Sequence, residues 1–498
     1  MTRTQCRTAI TGICTLLSSL PVFGVEPSNS SEIADVRRKL SQQGVLESPA
    51  ASGFPSYDLN FPPKDRTRQF ELSQNYPVTY NVTEHFPWEN VDFRKDWRKY
   101  LEAVLKYCLE GNVDVEFKGQ DNPIRKWYHA PWMHDDSEPT EGGKRQGREC
   151  HYGLTRERRS RAKELHPLQT TDKVQNWAVS LYSDRGGYTL GRIWNTPDGF
   201  PDPSNATFPD HTVSFKLLFT AAPVSEVPYL ANSYVVTANI NPDGAPAIPF
   251  KRVDRDVRLL QLDVAVKDPR VAETSGWIFG TFIYDGSQPG SSPFERLVPV
   301  GLSWGDEVDE KSDIDRDGAF ANDRLKESIL NSDLIPIRPS DTNWGNKAYV
   351  THHGLGGRLN GPVDNKYSSC MSCHGRAGTY YAALPPNEQS GIPMPILAGK
   401  DAEMGSAIAQ KAAFDKLFST VRPNSHLEHS TLAGQGGQLF VSVDYSLQVS
   451  QGIRNFYQNL RTQPDKIGSL ETVFGPSNFT KNAADLPKLP HVSRDEED

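Results

Sequence analysis

What the chain has little of narrows the field first. Cysteine is scarce, with 6 in 498 residues, and methionine scarcer still at 5. So few cysteines exclude a small scaffold held together by a dense framework of disulfides. Positive charge is in deficit: 54 Lys and Arg against 62 Asp and Glu leave a formal charge of −8. That balance gives no general attraction for nucleic acid or for an anionic membrane surface. Beyond the first two dozen residues, no run is long and apolar enough for a transmembrane helix. No catalytic triad, phosphate-cradling glycine loop or paired-carboxylate motif stands out, so nothing points to hydrolase chemistry. At 37% hydrophobic and 23% charged, with 9 Trp and 22 Phe, the composition is that of a globular chain long enough for two or three domains.

What is present is one short stretch, Ser368-Ser369-Cys370-Met371-Ser372-Cys373-His374-Gly375. Cys-x-x-Cys-His is the attachment signature of a c-type haem. Two thiols three positions apart can add to the two vinyl groups of one porphyrin. The adjacent His374 then becomes the proximal iron ligand, a role imidazole suits. The pattern implies one covalent haem c, with Cys370 and Cys373 holding the porphyrin. A bare Cys-x-x-Cys also serves as half of a zinc site or as a thioredoxin-like dithiol. Zinc needs a second ligand pair at similar spacing, and the chain has no other Cys-x-x-Cys. The dithiol is expected to open a helix after a strand, whereas the loop-like Gly361-Pro362-Val363-Asp364-Asn365 precedes this pair. Covalent haem stands ahead of both.

The N-terminus reads as an address. Arg3 and Arg7 make a positive start, Ala9 to Val22 is mostly apolar, and Val22-Phe23-Gly24 suits a signal peptidase. Residues 1–24 are therefore expected to be a signal peptide cleaved near Gly24, leaving a mature charge of −10. A periplasmic or secreted location follows, and it agrees with the haem motif because bacterial haem c is attached outside the cytoplasmic membrane. Cys6 and Cys14 leave with the signal, so Cys108 and Cys150 remain as either a disulfide or two buried thiols.

From Val25 to about Pro77 the sequence is polar and aperiodic, which predicts a flexible or loosely draped arm over 25–77. Residues 78–310 predict an α+β antiparallel-sheet domain with one long N-terminal helix. That helix is expected to start at Asn90 as N-cap. It carries Phe93, Trp97, Tyr100, Leu101, Val104, Leu105 and Cys108 at helical spacing, up to Gly111. Between Asp121 and Pro167 lies an irregular segment rich in His, Trp and Arg, which either lines a site or packs as a long loop. From Gln175 the period becomes two: Trp177, Val179 and Leu181 share a face, and Gly186-Gly187 predicts a turn into a strand over Tyr188–Trp194. Further strands are expected over Val213–Phe219, Leu260–Lys267, Trp277–Tyr284 and Leu297–Trp304. About six strands without intervening helices predict an antiparallel sheet with one face on a core.

Residues 311–465 predict a helical, loop-rich haem-binding region of cytochrome c type, and 466–498 a solvated tail. Asp313, Asp315 and Asp317 open a calcium-like loop, but Arg324 stands where an EF-hand needs its bidentate Glu. The competing reading is an acidic turn capping a helix over 319–331. Helical spacing recurs from Met404 through Ile408, Ala412 and Phe414 to Phe418, and from Leu447 through Val449, Ile453, Phe456 and Tyr457.

Three strand segments, taken with the haem motif, resemble a known family. Phe208-Pro209-Asp210-His211-Thr212-Val213-Ser214-Phe215-Lys216 resembles a Phe-Pro-Asp-Gly-Thr-Val-x-x-Lys strand, with His211 in the place of the turn Gly. Leu262-Asp263-Val264-Ala265-Val266-Lys267-Asp268 resembles the next strand. Ser275-Gly276-Trp277-Ile278-Phe279-Gly280-Thr281-Phe282 resembles a Gly-Trp-x-Phe-Gly-x-Phe pattern. This order, ending in Cys-x-x-Cys-His, is similar to the P-460-type cytochromes and the cytochrome c′-beta proteins. The resemblance implies a mainly antiparallel β fold carrying one haem c near the C-terminus. It also implies an iron left open for small ligands such as nitric oxide or hydroxylamine and, in the enzymes, a lysine bonded to the haem. Lys216 lies on the family-like strand, but an ordinary surface lysine is the expectation for it. The chain departs from the pattern in length: Cys370 follows Gly286 by 84 positions and 124 residues follow His374.

The far side of the iron decides the job. A sixth ligand makes electron transfer natural, and Met or His are the common choices. Gly391-Ile392-Pro393-Met394-Pro395 resembles the Met-Pro loop of class I cytochromes c, which makes Met394 the candidate distal ligand. Met404, His352 and His353 are the others. The primary expectation is an exported monohaem electron carrier serving a periplasmic redox partner. The alternatives are an open haem that binds or oxidises small nitrogen compounds, and a non-catalytic docking module for a redox partner.

Overall fold

The alternating segments do become strands, in a sheet larger than the alternation foretold. The computed structural model describes residues 70, 72–133, 154–196, 201–240, 253–305, 325–334, 353–354, 357–365, 368–380, 418, 420–425 and 440–461. One antiparallel sheet holds eight strands: β1 (Thr155–Ser160), β2 (Val174–Tyr182), β3 (Val213–Thr220), β4 (Val235–Ile240), β5 (Val253–Lys267), β6 (Trp277–Tyr284), β7 (Leu297–Ser303) and β8 (Ser328–Leu330). Their order is β1-β2-β3-β5-β6-β7-β8, with β4 paired to the first part of β5. The α-helices among the described residues are α1 (Trp97–Leu109), α2 (Asp184–Trp194), α3 (Cys370–Gly375) and α4 (Leu447–Arg461). A small second sheet pairs β9 (Gly378–Tyr380) with β10 (Phe440–Ser442). The architecture is α+β on antiparallel pairing. No helix among the described residues is long and apolar enough to cross a membrane.

α1 buries Tyr100, Leu101, Val104, Tyr107 and Cys108, the stripe its period demands. It begins at Trp97 after Asp96, not at Asn90, because residues 86–96 run as successive turns that bury Phe86, Trp88 and Phe93. Gly111 follows the helix with φ 72°, the left-handed value for which glycine is suited. Under the helix lies Gly280 of β6, where a Cβ would overlap Leu101 Cδ2 and sit 3.0 Å from Val264 Cγ2. Gly280→Ala is therefore expected to cost about 1–3 kcal/mol by overpacking. A denaturant midpoint equal to wild type would show that the helix can lift away at no cost.

Both faces of the sheet are covered, whereas alternation had implied one. Residues of one parity, Val264, Val266, Ile278 and Phe282 among them, join the core beneath α1. Their neighbours Ala265, Trp277 and Phe279 join a second core with Met371, Tyr445, Val449 and Ile453 from the C-terminal part of the chain. Double coverage explains why every residue of β2 and of β6 is buried. Phe70, Ser73 and Tyr76, assigned by sequence to the arm, are buried as well.

Other expectations needed correction. Gly186 and Gly187 sit inside helix α2 rather than in a turn, and Tyr188–Trp194 is helical rather than extended. Side chains there would collide with the Tyr182 ring at 2.8 Å and the Tyr128 ring at 2.5 Å, so the glycines let the helix lie flat on aromatic rings. The irregular stretch before residue 167 contains edge strand β1, and Ser328–Leu330, expected to be helical, is strand β8 against β7. Cys108 is a buried free thiol. Cys150, the calcium-like loop at Asp313, Asp315 and Asp317, and the 404–417 part of the expected helix lie outside the described residues.

Candidate haem-attachment site

The Cys-x-x-Cys-His stretch forms its own short helix, α3, with a reciprocal cap. The Ser369 hydroxyl accepts from Ser372 N at 2.9 Å, and the Ser372 hydroxyl accepts from Ser369 N at 2.8 Å. That cap sets the first turn, so Cys370 and Cys373 share a helix face with His374 just beyond. Cys370 N donates to Leu359 O at 3.1 Å, which ties the helix to the 357–365 segment.

His374 Nδ1 lies 2.8 Å from the carbonyl oxygen of Tyr445. A carbonyl can only accept, so Nδ1 carries the proton and the lone pair lies on Nε2, the tautomer an axial iron ligand needs. The Phe279 ring lies against the imidazole, 4.6 Å between centroids. Tyr445 and its neighbour Asp444 have φ of 63° and 51°, left-handed values costing roughly 1–3 kcal/mol each in non-glycine residues. Asp444 is fully buried. Its carboxylate receives the Lys267 ammonium at 2.6 Å, the Trp277 indole N–H at 2.8 Å and the Phe208 backbone N–H at 2.8 Å.

A polar row crosses the sheet under α3. Register aligns Ser180, Lys216, Asp263 and Thr281 on one face of β2, β3, β5 and β6. Lys216 Nζ is 3.5 Å from Asp263 Oδ2, the Thr281 hydroxyl donates to Asp263 Oδ1 at 2.9 Å, and Thr281 Oγ1 is 3.9 Å from Cys370 Sγ. Lys216 is thus half-buried in an ion pair beneath the motif, not an ordinary surface lysine. Gln261 Nε2 donates to Asp263 Oδ1 at 2.8 Å and reaches Asp364 Oδ2 at 3.4 Å, which brings the 357–365 segment into the row. His211 holds φ 64° before β3, a left-handed value that favours glycine.

Burial pushes the Asp263 carboxyl up to about 6; Lys216 pulls it down and Asp364 pushes it further up. A carboxyl raised in the folded chain binds its proton more tightly there than in the unfolded chain. Stability is then greatest below the unfolded value and falls as pH climbs from about 4 through 6. Asp263→Asn should flatten that slope, with a difference of roughly 1–3 kcal/mol at neutral pH. Urea midpoints taken across the acid-to-neutral range would test this, and parallel curves for the two proteins would sink it. Burial, then Asp364 and Asp263, also push the Cys370 thiol well above its ordinary value. The reactive cysteine of a redox dithiol is depressed instead.

Cys370, Cys373 and His374 are thus brought together, and the residues around them are suited to a haem. Among the described residues no three His, Cys, Asp or Glu gather as a metal cage. A haem iron would need none, because the porphyrin would supply four nitrogens and His374 could supply a fifth donor. An apolar wall of Phe279, Met371, Val443 and Val449 lies in the same core. Met394, Met404 and His352 are outside the described residues, and His353 is half-buried at the start of its segment. Sequence reasoning missed Asp444, Tyr445, Thr281 and Asp364. Nothing in Val443-Asp444-Tyr445-Ser446 marks it as the partner of a histidine 71 positions away. Compared with protein families, with curated proteins and with solved structures, the chain finds no match in any of the three.

Proposed function

We propose that the chain is an exported monohaem c-type cytochrome that transfers electrons to or from a periplasmic partner protein. Cys370 and Cys373 would hold the porphyrin and His374 the iron. The observation that carries this reading is the His374 Nδ1 to Tyr445 O hydrogen bond at 2.8 Å, made from the residue following an attachment pair. It fixes the tautomer and ring plane that a proximal ligand requires. A haem so held supplies a one-electron couple at iron. The chain orients the imidazole, keeps its proton at Nδ1 and shields its ring with Phe279. The raised Cys370 thiol argues against a redox dithiol.

A second reading is the open-iron chemistry of the resembled family, in which small nitrogen compounds bind or are oxidised. The polar row favours it: the strands that carry the resemblance are those that meet Cys370, through Thr281 and Asp263 to Lys216. Optical spectra of the matured protein, oxidised and reduced, with and without nitric oxide, separate the two. A low-spin spectrum indifferent to nitric oxide is expected for the carrier, and a high-spin spectrum shifted by it for the second reading. A protein without covalent haem after export would overturn both.

A further inference from the structure

The carbonyl that meets His374 sits in an unfavourable piece of backbone. Two consecutive L residues in left-handed conformation, Asp444 and Tyr445, persist only if their surroundings fix them. The fixing group is the Asp444 carboxylate. One oxygen takes Lys267 and Trp277 Nε1, and the other takes Phe208 N. β5, β6 and the segment before β3 therefore converge on one side chain. Lys267 is itself confined, since a Cβ on Gly276 would come within 3.0 Å of its Nζ. A buried ion pair is weak grounds for stability, whereas fixing one arrangement against others is its best-attested use. Here the arrangement fixed is a turn whose next carbonyl orients the imidazole.

Resting on the proposed haem attachment, we infer that Asp444, held by Lys267 and Trp277, is a positioning residue for His374. It keeps the 443–446 turn in the conformation that aims Tyr445 O at Nδ1, and so sets how strongly the imidazole donates to iron. A firm Nδ1–H bond to an acceptor makes the ring a better donor and favours the oxidised metal; loosening it favours the reduced one.

The test uses the matured holoprotein with two substitutions. Asp444→Asn keeps the shape and, with its oxygen at the Oδ1 position, the acceptor for Trp277 and Lys267, but it removes the charge facing Lys267 and the acceptor for Phe208 N. Trp277→Phe deletes the indole donor, together with part of the ring that packs on Phe208 and Phe279. Redox titration and the iron–histidine stretch in resonance Raman are the readouts. In Asp444→Asn the reduced-to-oxidised ratio at fixed potential should rise about tenfold, about 59 mV for a one-electron couple, and the stretch should fall in frequency. Trp277→Phe should move both less, in the same direction, and decides alone if the Asn variant does not accumulate. A shifted midpoint with an unmoved stretch would overturn the inference, because it would report lost charge and not a loosened imidazole. Unchanged values at wild-type haem content would overturn it too while leaving haem attachment intact. Wild-type protein without covalent haem would overturn both.

Discussion

Cys373→Ala is expected to abolish stable haem incorporation while leaving the fold in place. The substitution leaves one anchoring thiol, Cys370, half-buried against Thr281 and pushed by burial well above its ordinary pKa. Only one of the two thioether bonds that the Cys-x-x-Cys-His pattern provides could then form, so stable attachment should be inefficient. The helix itself should survive, because Cys373 contributes a backbone N–H to Ser369 O at 3.1 Å, a bond that alanine retains. The Ser369–Ser372 cap is untouched, and alanine is the best helix former. The measurement is covalent haem per chain, read from absorbance after acid extraction of loose haem, with circular dichroism as the folding control. Retention of full covalent haem by this variant would show the central reading to be wrong.

Much of the scaffold was legible because its signals are local. Val213–Phe219 and Leu260–Lys267 alternate, so their strand character and facing were readable, and Gly111 announced the end of α1. What failed were inferences that depend on distant partners. Gly186 and Gly187 look like a turn, and only the Tyr128 and Tyr182 rings pressing on α2 explain glycine inside a helix. Trp277–Tyr284 has no alternation, and the reason is a second core laid over the sheet by Met371, Val443, Tyr445, Val449 and Ile453 among others. The candidate attachment residues could be named from sequence because Cys-x-x-Cys-His is contiguous. Their support was not: Tyr445 contributes a backbone carbonyl, which any residue could offer, and Asp444 finds Lys267 across 177 positions. On the last of the resembled strands, Trp277, Phe279, Gly280 and Thr281 face either the α1 core or the second core and the Cys370–Gly375 helix. In physical terms Gly280 is needed to seat Leu101, while its neighbours Phe279 and Thr281 touch the haem motif from the opposite face.

Lys267→Met should destabilise the protein by about 3–5 kcal/mol, the cost of leaving a buried carboxylate without its counter-charge. Lys267 and Asp444 are 9% and 0% exposed at their side chains and 2.6 Å apart, so water screens them little. The Trp277 and Phe208 donors would remain on Asp444, but two neutral hydrogen bonds do not replace a full charge. Against a typical total of 5–15 kcal/mol for a folded domain, a loss of this size moves a large part of the unfolding transition. Lys216→Met is the contrast: its pair with Asp263 is longer, at 3.5 Å, and about a fifth of each side chain is exposed. Its loss should cost less, because partly exposed pairs are screened by solvent. The double variant Lys267→Met/Asp444→Asn separates charge from packing. It retains the shape and the acceptor for Trp277 but has no charge to bury, so it should regain more than half of the loss. Urea denaturation of the three variants gives the comparison. A single Lys267→Met variant within about 1 kcal/mol of wild type, the range of an exposed pair, would mean that solvent reaches Asp444. The turn that presents Tyr445 O to His374 would then need another source of rigidity.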